Sequence, residues 1–158
     1  MTTSANTRLE AFCDAVFALI TWVNHHGTLE RVDKASASFI YANGFLLLTV
    51  VFIPFPTALL GDFVVTDHAA PAVVLYDAVL AVQAIGWLLV SGTALRGNLG
   101  SGEHAVATLK EQQKRAYFAL ALYSLLALAA FWLPVTVAIV TTATWVVWLT
   151  MSIRMKAE

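Results

Sequence analysis

Charge is what this chain has least of. Only 12% of its 158 residues are Asp, Glu, Lys or Arg, against about 25% in an ordinary soluble domain. Nine Lys and Arg nearly balance ten Asp and Glu, for a formal net charge of -1, and no basic block offers a nucleic-acid partner a footprint. Cysteine is almost absent as well. Cys13 stands alone, so no disulfide forms within the chain. Gly97, Gly100 and Gly102 are not followed by a helix-opening Lys-Ser or Lys-Thr, so they make a flexible loop rather than a phosphate cradle. No nucleophile, base and acid recur at a catalytic spacing, and an enzyme is not expected. His25 and His26 are adjacent, and neighbouring helical side chains diverge by about 100°, so they cannot serve one metal as an i, i+4 pair would. No metal and no cofactor are expected. The polar start, 1–7, does not resemble a secretory signal.

What is present is apolar length. The chain is 59% hydrophobic with a mean hydropathy of +0.76. A membrane-spanning helix needs about 20 mostly apolar residues, and the segments 39–60, 72–95, 117–133 and 135–153 fit that requirement, the third being the shortest. Pro54 and Pro56 should kink or end the first of them. Pro134 should open the last, making a tight hairpin with the segment before it. The expected loops are a short one over 62–71 and a longer polar one over 96–115. The expected fold is an all-α integral membrane protein, one transmembrane domain over 1–158, with four clear transmembrane helices and a short N-terminal motif helix over 8–26.

Charge placement orients these spans. Arg31 and Lys34 precede the first, Arg96, Lys110, Lys114 and Arg115 lie between the second and third, and Arg154 and Lys156 follow the last. Four spans put all eight on one side, while the opposite loop holds Asp62, Asp67 and His68 without Lys or Arg. The positive-inside rule then makes the protein multi-pass with a cytoplasmic C-terminus. Asp77 lies shallowly in the second span with Gln83 deeper, and an intramembrane carboxylate faces the bundle or a pathway by default. Thr141, Thr142 and Thr144 suggest close helix packing in the last span.

The motif segment is short for a span. Only nine residues separate Asp14 from Asn24, closer to a re-entrant or interfacial piece than to a full crossing. On a helix Asp14, Ala18, Thr21, Trp22 and His25 share a face. Asp14 and His25 are roughly 16 Å apart along the axis at 1.5 Å per residue, too far to touch. Locally, Arg8 reads equally well as a snorkelling interfacial side chain, and Asp14 as a first-turn carboxylate favoured by the helix dipole.

The block Arg8-Leu9-Glu10-Ala11-Phe12-Cys13-Asp14 resembles the Arg-x-x-x-Phe-Ser-Asp signature of the lysosomal potassium channel, transmembrane protein 175, and its bacterial relatives. Trp22-Val23-Asn24-His25-His26 and Ile53-Pro54-Phe55-Pro56-Thr57-Ala58-Leu59-Leu60-Gly61 resemble two further segments of that family. Cys13 replaces the family serine and Ala15 the usual glycine. Between the first two blocks lie only seven residues, 15–21, where family members carry most of two helices and an outer loop. An apparent deletion has fused the first and second helices.

The resemblance implies a potassium-permeable channel subunit in a bacterial plasma membrane, assembled as a homotetramer. The N-terminal helix would line the pore, and Leu19, five residues after the motif aspartate, would form a hydrophobic constriction. Arg8, Asp14, Trp22 and His25 or His26 would pin the pore helices together. Membrane lipid, potassium ion and further copies of the chain are the implied partners. The deletion motivates an alternative, a non-conducting membrane interaction or assembly subunit descended from the same family.

Overall fold

The computed structural model describes the backbone of residues 5–157, and side chains from Ala11 to Trp148 other than those of Phe12, Cys13, Val16, Leu19 and Ile20. The described chain is all-helical. In order it forms α1 (Ala5–Leu29), α2 (Ala37–Phe52), α3 (Pro54–Phe63), α4 (Ala69–Arg96), α5 (Glu103–Ala129) and α6 (Pro134–Ala157).

The helix ends have identifiable causes. Ser36 caps α2, its Oγ accepting from the Phe39 backbone N–H at 3.2 Å, which supplies one of the orphan donors of a helix start. Pro54 cannot donate to the ladder, so α2 stops two residues earlier, at Phe52, and α3 restarts on the proline itself. The break expected from Pro54 and Pro56 is present, and Ile53, at the break, is fully buried. At the end of α4, Asn98 takes a left-handed φ of 49°. Its N–H bonds Leu95 O at 3.2 Å while Leu99 N–H bonds Ala94 O at 3.0 Å, the paired bonds of a Schellman closure. Pro134 opens α6, as its position predicts.

Two expectations need correction. The motif segment is not a short helix: α1 runs 25 residues without a break, about 37 Å at 1.5 Å per residue. The expected bounds, 8–26, fall three residues inside the observed ones at each end, and the helix runs past His26 to Leu29. There the Arg31 guanidinium donates to the Gly27 carbonyl, and Arg31 N–H and Val32 N–H tighten the last turn onto Thr28 O and Leu29 O at 3.2 and 3.1 Å. The polar loop expected over 96–115 is also mostly helix, because α5 begins at Glu103. Its polar first half had no apolar pattern to announce it.

α4 is the central post. It packs against α2, α3, α5 and α6, and its buried residues meet three apolar layers in turn. Val73 joins Ala130, Val137 and Ala138; Val79, Leu80 and Ala81 join Phe17, Ile53 and Tyr123; Val90 and Ala94 join Phe39, Ala42, Leu46 and Leu109. Gly86 permits the close approach of α2, since a Cβ there would lie 3.1 Å from Leu46 Cα. Among the described residues, two stretches are long and apolar enough to cross a membrane, α2 with α3 (Ala37–Phe63) and α4, while Pro134–Trp148 of α6 is apolar but shorter. Large apolar side chains such as Ile40, Leu48, Val51, Phe55, Val65, Phe118, Leu125, Ile139 and Val146 face outward. Water would make so extensive an apolar exterior costly; lipid does not.

Candidate functional site

α1 has two unlike faces. Phe17, Thr21 and Thr28 are buried against the rest of the molecule. Phe17 meets Trp145 edge-on with ring centroids 4.6 Å apart, which joins α1 to α6. The opposite face carries Ala11, Ala15, Ala18, Trp22, His26 and Leu29, all exposed. Their spacing of three and four residues makes one continuous stripe, small in its first half and aromatic at its end. Trp22 stacks on His26 with centroids 5.2 Å apart and planes 6° from parallel. His26 Nε2 in turn lies 3.3 Å from Glu30 Oε1.

The C-terminal end of α1 is held from three directions. His25 Nε2–H donates to Asn43 Oδ1 of α2 at 2.5 Å. The Thr28 hydroxyl lies 2.9 Å from Asn24 O and 3.1 Å from Gln112 Oε1 of α5. Beyond the helix, the link to α2 pairs with the link between α4 and α5. Val32 bridges Gly100, Asp33 N–H donates to Leu99 O at 3.0 Å, and Ser101 N–H donates to Arg31 O at 3.0 Å. None of Asn43, Thr28 or Gln112 was singled out in the sequence. Asn43 alone gave a signal, as a carboxamide one turn into an apolar run.

The residues expected from the sequence fall as follows. The side chains of Arg8 and Leu19 lie outside the described residues. Asp14 Oδ1 is buried with no hydrogen-bond partner among the described residues. Trp22 and His26 are brought together on the exposed face, whereas His25 is directed to α2.

A second polar centre ties α4, α5 and α6. Asp77 is completely buried and accepts from Thr141 Oγ1 at 2.8 Å through Oδ1; its Oδ2 has no partner among the described residues. Trp148 Nε1 donates to Tyr123 Oη at 2.9 Å, Tyr123 Oη is 3.1 Å from Thr144 Oγ1, and Thr144 donates to Thr141 O at 2.7 Å. Each hydroxyl has one proton, and Thr144 gives its own to the carbonyl, so Tyr123 donates to Thr144. The expectation that Asp77 faces the bundle is met. This chain of bonds does not touch the exposed face of α1.

No protein-family model matches the chain. A potassium channel of Chamaesiphon minutus is 40% identical over 67 residues, which are 42% of this chain and 33% of that protein. A potassium channel of Streptomyces collinus is 36% identical over 76 residues, 44% of this chain and 37% of that protein. These matches therefore span little more than a third of the curated relatives. Over the whole fold, the crystal structure of a lysosomal potassium-selective channel homologue of transmembrane protein 175, also from Chamaesiphon minutus, superposes with a TM-score of 0.74 at 27% identity. It takes in 92% of this chain and 73% of that one. Apolar helices, an outward apolar surface and these relatives make this a membrane protein, similar in fold to the homologue of transmembrane protein 175 and in part of its sequence to bacterial potassium channels.

Proposed function

We propose that the protein is a potassium-permeable cation channel subunit, and that copies of α1, four in the homotetramer, turn their exposed stripes toward a common axis to form the pore. The observation that carries this reading is the two-faced α1. One face is fixed to its own subunit by Phe17, Thr21 and Thr28, and the other leaves small residues and an aromatic pair uncovered within the subunit. A helix held in this way can present a wall to its symmetry mates without losing its own packing. The relatives named as potassium channels supply the choice of ion. Besides α1, the subunit crosses a bacterial plasma membrane four times, through α2 with α3, α4, the latter half of α5 and α6, with the basic residues that flank these four spans and the C-terminus cytoplasmic.

Leu19 forms the constriction. A ring of leucines narrows the path and disfavours water within it, so it gates by dewetting. Arg8, Asp14, Trp22 and His26 brace neighbouring α1 helices, and His25 fixes the base of each to α2 through Asn43. The work is passive conduction rather than catalysis. The deciding experiment is potassium flux into proteoliposomes at matched protein incorporation, with sodium as comparison ion. Potassium flux exceeding sodium flux, with selectivity altered by Leu19→Ala, supports the reading. Unchanged conductance and selectivity in Leu19→Ala removes the gate assignment.

A second reading has its own observation. One unbroken helix carries the motif blocks that the family resemblance assigns to two, so a pore wall is shortened. A non-conducting assembly subunit would show no flux from verifiably inserted protein, and a monomeric or partner-bound mass in mild detergent.

A further inference from the structure

The exposed stripe of α1 ends in a nitrogen and an oxygen that are already close together. His26 and Glu30 have the i, i+4 spacing that His25 and His26 lack, and His26 Nε2 lies 3.3 Å from Glu30 Oε1. Their side chains are 54% and 67% exposed, and exposed pairs of this kind contribute about 0–1 kcal/mol. Little therefore opposes drawing both atoms onto a third group between them.

The imidazole is aimed before anything binds. Trp22, one turn earlier, stacks on it with planes 6° from parallel, which fixes the ring plane while Nε2 is turned to Glu30. Donors oriented in advance cost less to order on binding. The pair also stands at the C-terminal end of α1, where the helix dipole favours a cation. The neighbouring Arg31 guanidinium is taken up by the Gly27 carbonyl.

The donor atoms narrow the choice of ligand. An imidazole nitrogen beside a carboxylate oxygen suits a divalent transition-metal ion, whereas Mg²⁺ and Ca²⁺ take oxygen ligands and Cu⁺ takes thiolates. At bond lengths of about 2.05 Å, neighbouring ligands are about 3.4 Å apart on a tetrahedral ion and about 2.9 Å apart on an octahedral one. The observed 3.3 Å matches the tetrahedral edge. Such an ion needs four ligands, and among the described residues no third His, Cys, Asp or Glu joins the pair. The stripe is uncovered within the subunit, and a symmetry mate facing it brings the same two residues again. We propose that His26 and Glu30 of two facing α1 helices hold one divalent transition-metal ion of the zinc type, each copy supplying one nitrogen and one oxygen. The proposal rests on the reading above that α1 stripes of different copies face one another, but not on conduction.

The test uses the untagged full chain in mild detergent, freed of metal by a chelator, with Co²⁺ as the spectroscopic probe and Zn²⁺ as its competitor. The expected result is the intense visible absorption of tetrahedral Co²⁺, saturating at one ion per two chains and bleached by Zn²⁺, with a Tm raised by either metal. His26→Gln and Glu30→Gln should each weaken Co²⁺ by at least about tenfold, the loss that even outer-shell partners of a metal give. Both side chains are exposed, so the metal-free Tm should stay as in the parent. His104→Gln, in α5, should leave Co²⁺ binding unchanged. The weak absorption of six-coordinate Co²⁺, saturation at one ion per chain, or a His26 or Glu30 variant that binds as the parent does overturns the proposal. A monomeric particle mass with metal bound also overturns it. Potassium flux is read separately in metal-free proteoliposomes, so absence of flux beside a site of one ion per two chains removes conduction and leaves the metal site standing.

Discussion

Helices α1 and α4 are nearly equal in length, 25 and 28 residues, but they are used in opposite ways. α4 touches neighbours on several sides and buries residues from Ala69 to Ala94, including a carboxylate, a carboxamide and Ser91. α1 buries one stripe and leaves the other bare. A helix enclosed by its own subunit is chosen for fit, and its polar groups serve to lock neighbours. A helix with a free face is chosen for what that face meets. Substitutions in α4 should therefore act on folding, and those on the outer face of α1 should act on transport while folding is spared.

Gly86→Val should give the largest effect. Its Cβ alone would lie 3.1 Å from both Leu46 Cα and Leu46 Cδ1, so the α2 backbone must move, and overpacking costs about 1–3 kcal/mol or more. A Tm lowered by many degrees in detergent is expected; an unchanged Tm would mean that α2 and α4 are not closely apposed. Next comes Thr141→Val, which strips Asp77 of its donor at a cost of about 1–3 kcal/mol. Because removing both partners is gentler than orphaning one, the double variant D77L/T141V should recover much of the lost Tm. If it is worse than Thr141→Val alone, Asp77 has a role apart from the tie to α6.

A smaller effect is expected at the junction of the two regimes. His25→Phe and Asn43→Leu should each destabilise modestly, and a double-mutant cycle should give a coupling of about 0.5–1.5 kcal/mol. Zero coupling would release the base of α1 from α2. The smallest effect on stability should come from Trp22→Ala, within about 0.5 kcal/mol of the parent, since Trp22 is 59% exposed and touches His26 on its own helix. Its potassium flux should nevertheless change. Altered stability with unaltered flux would reverse the contrast between α1 and α4.

Much of the architecture was legible where one residue type has one physical consequence. Pro54 and Pro134 lack a backbone donor, and helices restart at both. Asp77 in an apolar run pointed to the bundle or a pathway, and Thr141 with Thr144 announced close packing that the structure resolves into bonds with Asp77 and Tyr123. The motif blocks carried the resemblance to the potassium channels that the chain matches. What was not legible depends on separation along the chain. His25 meets Asn43 across 18 residues and Thr28 meets Gln112 across 84, and nothing local to either residue names its partner. The last turn of α1, from Gly27 to Leu29, was missed for the same reason. Its polar end is stabilised by groups contributed from α2, α5 and Arg31, which an apolar count does not include.

The pairing of Val32 with Gly100, and of Arg31 with Ser101, closes a ring of chain 70 residues around, with α2, α3 and α4 as its circumference. The exposed 65–68 segment lies on that ring, far along the chain from the clasp. A single protease cut there would open the ring without freeing either end, because one fragment keeps its grip on the other at the clasp and along α4. The nicked protein should migrate as one particle in detergent and as two bands once denatured. The clasp thus makes continuity of the fold independent of continuity of the backbone at its most accessible turn.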